Sequence, residues 1–109
     1  MGRRLLRTFA ATTDGANTTL LTVPGGKKFE VVDLTCQSDL VHTFTYYFAV
    51  VTATFPFIID TIVVVPPSLG EAHQYAGIVL LEGEQLVVFS TNAGHGNGVA
   101  YAGYVEVDL

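Results

Sequence analysis

Val23-Pro24-Gly25-Gly26-Lys27 and, two thirds along the chain, Leu80-Leu81-Glu82-Gly83-Glu84-Gln85-Leu86 decide how this sequence folds. Each sets glycine and polar residues between runs of Val, Leu, Phe and Thr, so each reads as a tight turn between two β-strands. Neither carries reactive chemistry. The same punctuation recurs at 13–17, 38–39, 66–70 and 92–98. Between these turns lie strand signals at 4–11, 18–23, 29–37, 43–53, 57–65, 74–81, 86–91 and 99–107. No window holds a sustained 3.6-residue apolar period, and residues 69–72 are the one place for a single helical turn.

Within the strands, side chains alternate between faces. In the last one, Val99, Tyr101, Gly103, Val105, Val107 and Leu109 share one face and Ala100, Ala102, Tyr104, Glu106 and Asp108 the other, so one face is buried. The fourth strand is apolar on both sides: Phe44, Tyr46, Phe48 and Val50 on one, Tyr47, Ala49, Val51 and Ala53 on the other. Such a strand is central in a sandwich with a further surface packed on it, most simply another protomer. Phe44, Tyr46, Tyr47, Phe48 and Val51 are therefore the candidate oligomer interface. Eight short strands with no helices predict an all-β fold: a two-sheet antiparallel β-sandwich of jelly-roll type, with a closed barrel as the alternative.

At 109 residues the chain has the size of one domain, enough to bury about 65% of its unfolded surface. Half of the residues are hydrophobic and 14% are charged, against about 25% in an average globular protein. A small monomer in water needs a more charged surface, so part of the apolar excess is expected to face another subunit or a larger assembly. The single cysteine, Cys36, excludes an internal disulfide and fits a reducing site of synthesis, with a buried inert thiol as its expected state.

Charge is unevenly placed. All five cations, Arg3, Arg4, Arg7, Lys27 and Lys28, fall in the first 28 residues, where Asp14 is the one acid; residues 29–109 hold nine acids and no Lys or Arg. Two readings follow: the basic start neutralises the acidic body within the chain, or residues 1–12 form a basic N-terminal arm ahead of a single sandwich domain, 13–109, and reach an acidic neighbour through Arg3, Arg4 and Arg7. A pI near 4.8 disfavours nucleic acid as a partner. A secretory leader is not expected, because Arg7 interrupts the apolar run that begins at Leu5. A membrane span over 44–65 would have to bury Asp60 in a stretch rich in β-branched residues, so no membrane partner is expected.

Catalytic readings fail on residue context. Ser38, Ser68 and Ser90 lack a Gly-x-Ser-x-Gly elbow, and Cys36 lies in an apolar strand with no basic neighbour to lower its pKa. Glu82 and Glu84 read as a solvated turn, and 92–98, with three glycines, as an exposed hairpin tip bearing Asn92, His95 and Asn97. Gly70-Glu71-Ala72-His73-Gln74-Tyr75 looks like a worn first cupin motif, but Tyr75 stands where the second histidine of a metal-binding pair belongs. No catalytic residue, metal or cofactor is expected.

Three stretches carry a family resemblance: Thr19-Leu20-Leu21-Thr22-Val23-Pro24-Gly25-Gly26-Lys27-Lys28-Phe29-Glu30-Val31, then Gly77-Ile78-Val79-Leu80-Leu81-Glu82-Gly83-Glu84-Gln85-Leu86-Val87-Val88, then Gly103-Tyr104-Val105-Glu106-Val107. They resemble the small β-sandwich virion proteins of tailed bacteriophages, which commonly carry a TVPAGK turn, an L.AGD.L.V turn and a closing GYVEV-like strand. The resemblance spans 18–109 and departs at Gly25, where Ala is commoner, and at Glu84, where Asp is. It implies a capsid decoration or cement protein, usually trimeric, made in the host cytoplasm and placed on the capsid surface. Its implied partners are the major capsid protein and copies of itself, with Arg3, Arg4 and Arg7 docking on acidic capsid or on the next subunit. The alternatives are a tail or fibre module that binds a host receptor and, further off, a cupin-like metalloenzyme.

Overall fold

The structure is a computed structural model describing residues 2–13, 15–39, 41–52, 56–91 and 98–109. Its strands are β1 (Arg3–Thr12), β2 (Asn17–Thr22), β3 (Lys27–Gln37), β4 (Phe44–Val51), β5 (Pro56–Val64), β6 (Gly70–Leu80), β7 (Gln85–Thr91) and β8 (Gly98–Asp108). They form two four-stranded sheets, β1-β8-β3-β6 and β2-β7-β4-β5, with every pairing antiparallel. This is the expected β-sandwich of jelly-roll type.

The pairing has a simple origin. β1 pairs with β8, β2 with β7, β3 with β6 and β4 with β5, so the chain is one long antiparallel ribbon. Rolling that ribbon sets β3 beside β8 and β4 beside β7, which completes each sheet. The ribbon changes sheet three times, and both of its chains cross at each bend. The two stretches that decide the fold are the two chains of one bend. There the Val23 N–H donates to the Glu84 carbonyl at 3.0 Å and the Gly83 N–H donates to the Val23 carbonyl at 2.9 Å. The Glu84 carboxylate accepts from the Leu81 N–H at 2.8 Å. Gly26 and Gly83 hold φ of 77° and 84°, the left-handed region that side chains disfavour. At the second bend the Ser38 N–H donates to the Leu69 carbonyl at 3.0 Å. At the third the Gly15 N–H donates to the Ser90 carbonyl at 2.8 Å.

Between the sheets lies one core. Phe44, Tyr46 and Phe48 of β4 are fully buried and share it with Val31, Leu34, Ala100 and Ala102 of the opposite sheet. Burying each such large side chain stabilises the fold by about 1.5–3 kcal/mol. In β8 the buried face is the small one, Gly98, Ala100 and Ala102, while Val99, Tyr101 and Val105 point outward. The aromatics of β4 require that choice. The Tyr46 hydroxyl donates to the Gln37 carbonyl at 2.5 Å and occupies the space that a Cβ on Gly98 would need.

Several expectations are corrected. Phe44, Tyr46 and Phe48 cannot form an oligomer interface, because their face of β4 looks into the chain's own core; two apolar faces on one strand do not reveal which is inside. Of the expected arm 1–12, residues 3–12 are β1, an edge strand paired with β8 from Arg3–Val107 to Thr12–Gly98, so the division at residue 12 is not a domain boundary. Its arginines are set by strand alternation. Arg4 meets Glu106 at 2.8 Å and Arg3 reaches across β8 to Glu30 at 3.2 Å, while Lys27 pairs with Glu106 and Asp108. Much of the basic start therefore neutralises the acidic body within the chain, and arginines on an edge strand also discourage edge-to-edge pairing. Residues 70–72 are strand rather than a helical turn, since pairing with Gln37, Thr35 and Cys36 overrides their weak local preference.

Gly83→Ala is expected to cost about 1–2 kcal/mol by forcing a side chain into the left-handed region; nothing lies within 4 Å of the new Cβ. Urea unfolding followed by far-UV circular dichroism checks this, and an unchanged midpoint would count against it. Deleting residues 2–12 is expected to abolish the cooperative transition in the same measurement, because β8 loses one of its two neighbours along its whole length and becomes an edge strand.

Candidate functional site: an uncharged sheet face

β4 and β7 alternate strictly, which fixes what the sheet β2-β7-β4-β5 presents outward: Thr45, Tyr47, Ala49 and Val51 from β4, and Gln85, Val87, Phe89 and Thr91 from β7. Register adds Pro56, Ile58, Thr61 and Val63 from β5 and Asn17, Thr19 and Thr22 from β2. Among these described residues none is charged. The outer face of the other sheet, by contrast, carries Arg3, Arg7, Lys28, Glu30 and Asp33.

Ala49 lies between larger neighbours on a central strand, and the sheet surface is dished there. The result is a groove of about 470 Å³ bordered by Tyr47, Phe89, Val87, Val51, Pro56 and Ile58. The rings of Tyr47 and Phe89 stand 6.3 Å apart at 45°, and Ile58 is 68% exposed. With Asn17 also in its lining, the groove offers apolar contact, one phenol and one carboxamide. It has no acid, base or nucleophile.

The chemistry-bearing side chains lie elsewhere. An extra residue in β5, Ile59, turns Asp60 inward at the sandwich edge, opposite Phe48. There His73 Nδ1 lies 2.7 Å from Asp60 Oδ2, and the Tyr75 hydroxyl donates to the same oxygen. Partial burial pushes the Asp60 carboxyl up, but the hydrogen bonds from Tyr75 and His73 outweigh it and hold the group below its ordinary range. The Tyr75 hydroxyl is pushed up, first by burial and then by Asp60. This trio ties β5 to β6 and so joins the two sheets along one side. Sequence reasoning placed His73 and Tyr75 together but did not add Asp60; the signal was there, an acid alone in the apolar run 57–65. Cys36 is fully buried, and burial pushes its thiol up. Among the described residues no group of three His, Cys, Asp or Glu is placed to hold a metal ion.

The expected site residues are thus dispersed. Tyr47 and Val51 border the groove, Phe44, Tyr46 and Phe48 are in the core, and Arg3, Arg4 and Arg7 are on β1. The loop tip with Asn92, His95 and Asn97 lies outside the described residues.

No family model matches the chain, and no curated protein matches it. Among solved structures it is similar to a chain from Bacillus endospore appendages, described as a novel family of disulfide-linked pili. The identity is 12% and the TM-score 0.50, covering 100% of this chain and 92% of that one. At this identity the likeness shows the fold alone.

Asp60 also makes stability depend on pH. Its folded pKa is depressed, so its contribution is present above the unfolded value of about 3.9 and is lost as pH falls through the folded value. Asp60→Asn is expected to lower stability at pH 7 by about 1–2 kcal/mol and to flatten the acid limb. Urea midpoints between pH 2 and 7 measure both, and parallel curves for the two proteins would refute the assignment.

Proposed function

We propose that this chain is a non-catalytic structural subunit that assembles with copies of itself through the outer face of β2-β7-β4-β5, and that the assembly is a capsid decoration protein on a bacteriophage head. The uncharged face carries the reading. With a net charge of −5, copies of the chain repel one another over most of their surfaces. This sheet face is where two copies can meet without opposing like charges, and burying it removes apolar surface from water at about 25 cal/mol per Å². The low proportion of charged residues fits a surface of which part is covered in the assembled state. A homotrimer bound to the major capsid protein is the specific form proposed, and it draws on the resemblance of the turn and strand motifs to those of tailed-phage virion proteins.

A second reading, a filament subunit, draws on the fold shared with the Bacillus pilus chain. Cys36 is fully buried in this fold, so a filament linked through that thiol does not follow, and such copies would associate through noncovalent contacts.

Light scattering after gel filtration at tens of micromolar separates these forms. The wild type is expected to run as a closed trimer, and Tyr47→Asp and Ile58→Asp each as a monomer with an unchanged melting temperature. A monomeric wild type, or an oligomer indifferent to both substitutions, would overturn the reading. An open-ended series of larger species would favour the filament.

A further inference from the structure

The opposite face of the sandwich is built differently. β1 presents Arg3, Leu5, Arg7, Phe9 and Ala11 outward, on the side where Val105 and Tyr101 of β8 also point. Arg3 is engaged by Glu30. Arg4 points the other way and is engaged by Glu106. Arg7 is exposed and, among the described residues, has neither an ion pair nor a hydrogen bond. On the same strand face, two residues to either side, stand Leu5 and Phe9, 73% and 67% exposed.

Beside Arg7 is a shallow depression of about 250 Å³ lined by Arg7, Thr35, Gln37 and Tyr101. Register explains it. Thr35 lies opposite Tyr101, and Arg7 lies opposite Gly103, over which the Asp33 carboxylate sits, 2.6 Å from where a Cβ would stand. The Tyr101 hydroxyl donates to Gln37 Oε1 at 3.4 Å, which leaves the amide hydrogens of Gln37 pointing to other partners. The Thr35 hydroxyl has no partner among the described residues. A guanidinium, an amide and a hydroxyl therefore converge as donors. The nearest acid on this face, Asp33, is not part of the lining, and its carboxylate accepts from the Gly103 N–H at 3.1 Å.

We propose that this depression binds a carboxylate on an acidic side chain of a protein partner, with apolar residues of that partner packing on Leu5 and Phe9. The planar fork of an arginine matches a carboxylate with two parallel hydrogen bonds. Leu5, Arg7 and Phe9 are spaced about 6.6 Å apart along an extended strand. That spacing fits an extended partner segment reading apolar, any, acidic, any, apolar. It lies on the sheet opposite the self-association face, so one subunit can engage its own copies and a second protein together. Of three arginines that sequence suggested for attachment, this assigns the role to Arg7 alone.

The test is an NMR titration of the full chain with the capped peptide Val-Thr-Glu-Thr-Val, its Gln counterpart and sialyllactose. The Glu peptide is expected to shift the amides of Arg7, Thr35, Gln37 and Tyr101 and to bind about tenfold more tightly than the Gln peptide, with the difference shrinking as salt rises. Arg7→Gln should erase that preference and Arg3→Gln should keep it. Equal binding of both peptides, no binding, or shifts confined to the other sheet would overturn the proposal. Tighter binding of sialyllactose through the same residues would overturn it in favour of an acidic glycan.

Discussion

The rest of the structure depends on two hydrogen bonds, from the Val23 N–H to the Glu84 carbonyl and from the Gly83 N–H to the Val23 carbonyl. They clasp the two chains of the ribbon at the point where both leave one sheet and enter the other. A strand ladder cannot continue around such a corner, and unpaired backbone groups there would lose their partners. The corner instead uses two glycines in the left-handed region and the Glu84 side chain to pair them. Because β2 and β3 pair with β7 and β6, this clasp also sets which strands end up side by side in both sheets.

Once the ribbon is rolled, alternation along each strand assigns every side chain to the core or to a surface. The two outer surfaces then differ in kind. On β2-β7-β4-β5 the outward positions are apolar or neutral, which suits contact with an identical neighbour. On β1-β8-β3-β6 they mix apolar residues with charge, of which Arg3 is matched by Glu30, while Arg4 and Lys27, on the other side of their strands, are matched by Glu106. Arg4 holds the Glu106 carboxyl below its ordinary range, and Lys27 does the same for Asp108. These pairs remain open to solvent on one side, so they set register more than stability.

The open sides of the sandwich are treated differently from its faces. Along β5 and β6 an inward acid, a histidine and a tyrosine join the two sheets, where hydrophobic residues would be half wetted. β5 begins with Pro56 and carries a bulge at Ile59, features that interrupt the regular ladder an added strand would need.

The positions of strands and turns were legible in the sequence, because glycine, proline and β-branched runs act over a few residues: Pro24-Gly25-Gly26 and Glu82-Gly83-Glu84 are turns in any fold. The sandwich class and the strand count follow from that local chemistry, as does the burial of Cys36 in an apolar strand. Which face of β4 is inside was not legible, because Phe44, Tyr46 and Phe48 on one side and Tyr47, Ala49 and Val51 on the other are equally apolar. Only the opposing small residues of β8 decide it. The three arginines looked like a detached arm because the partners of Arg3 and Arg4, Glu30 and Glu106, lie farther along the chain and meet them only through strand pairing. Asp60 was visible as an oddity but not as a link, since His73 and Tyr75 reach it only when β6 comes to rest beside β5. Local propensity acts through neighbours in sequence; faces, charge partners and sites depend on neighbours in space, and those exist only after the ribbon has rolled.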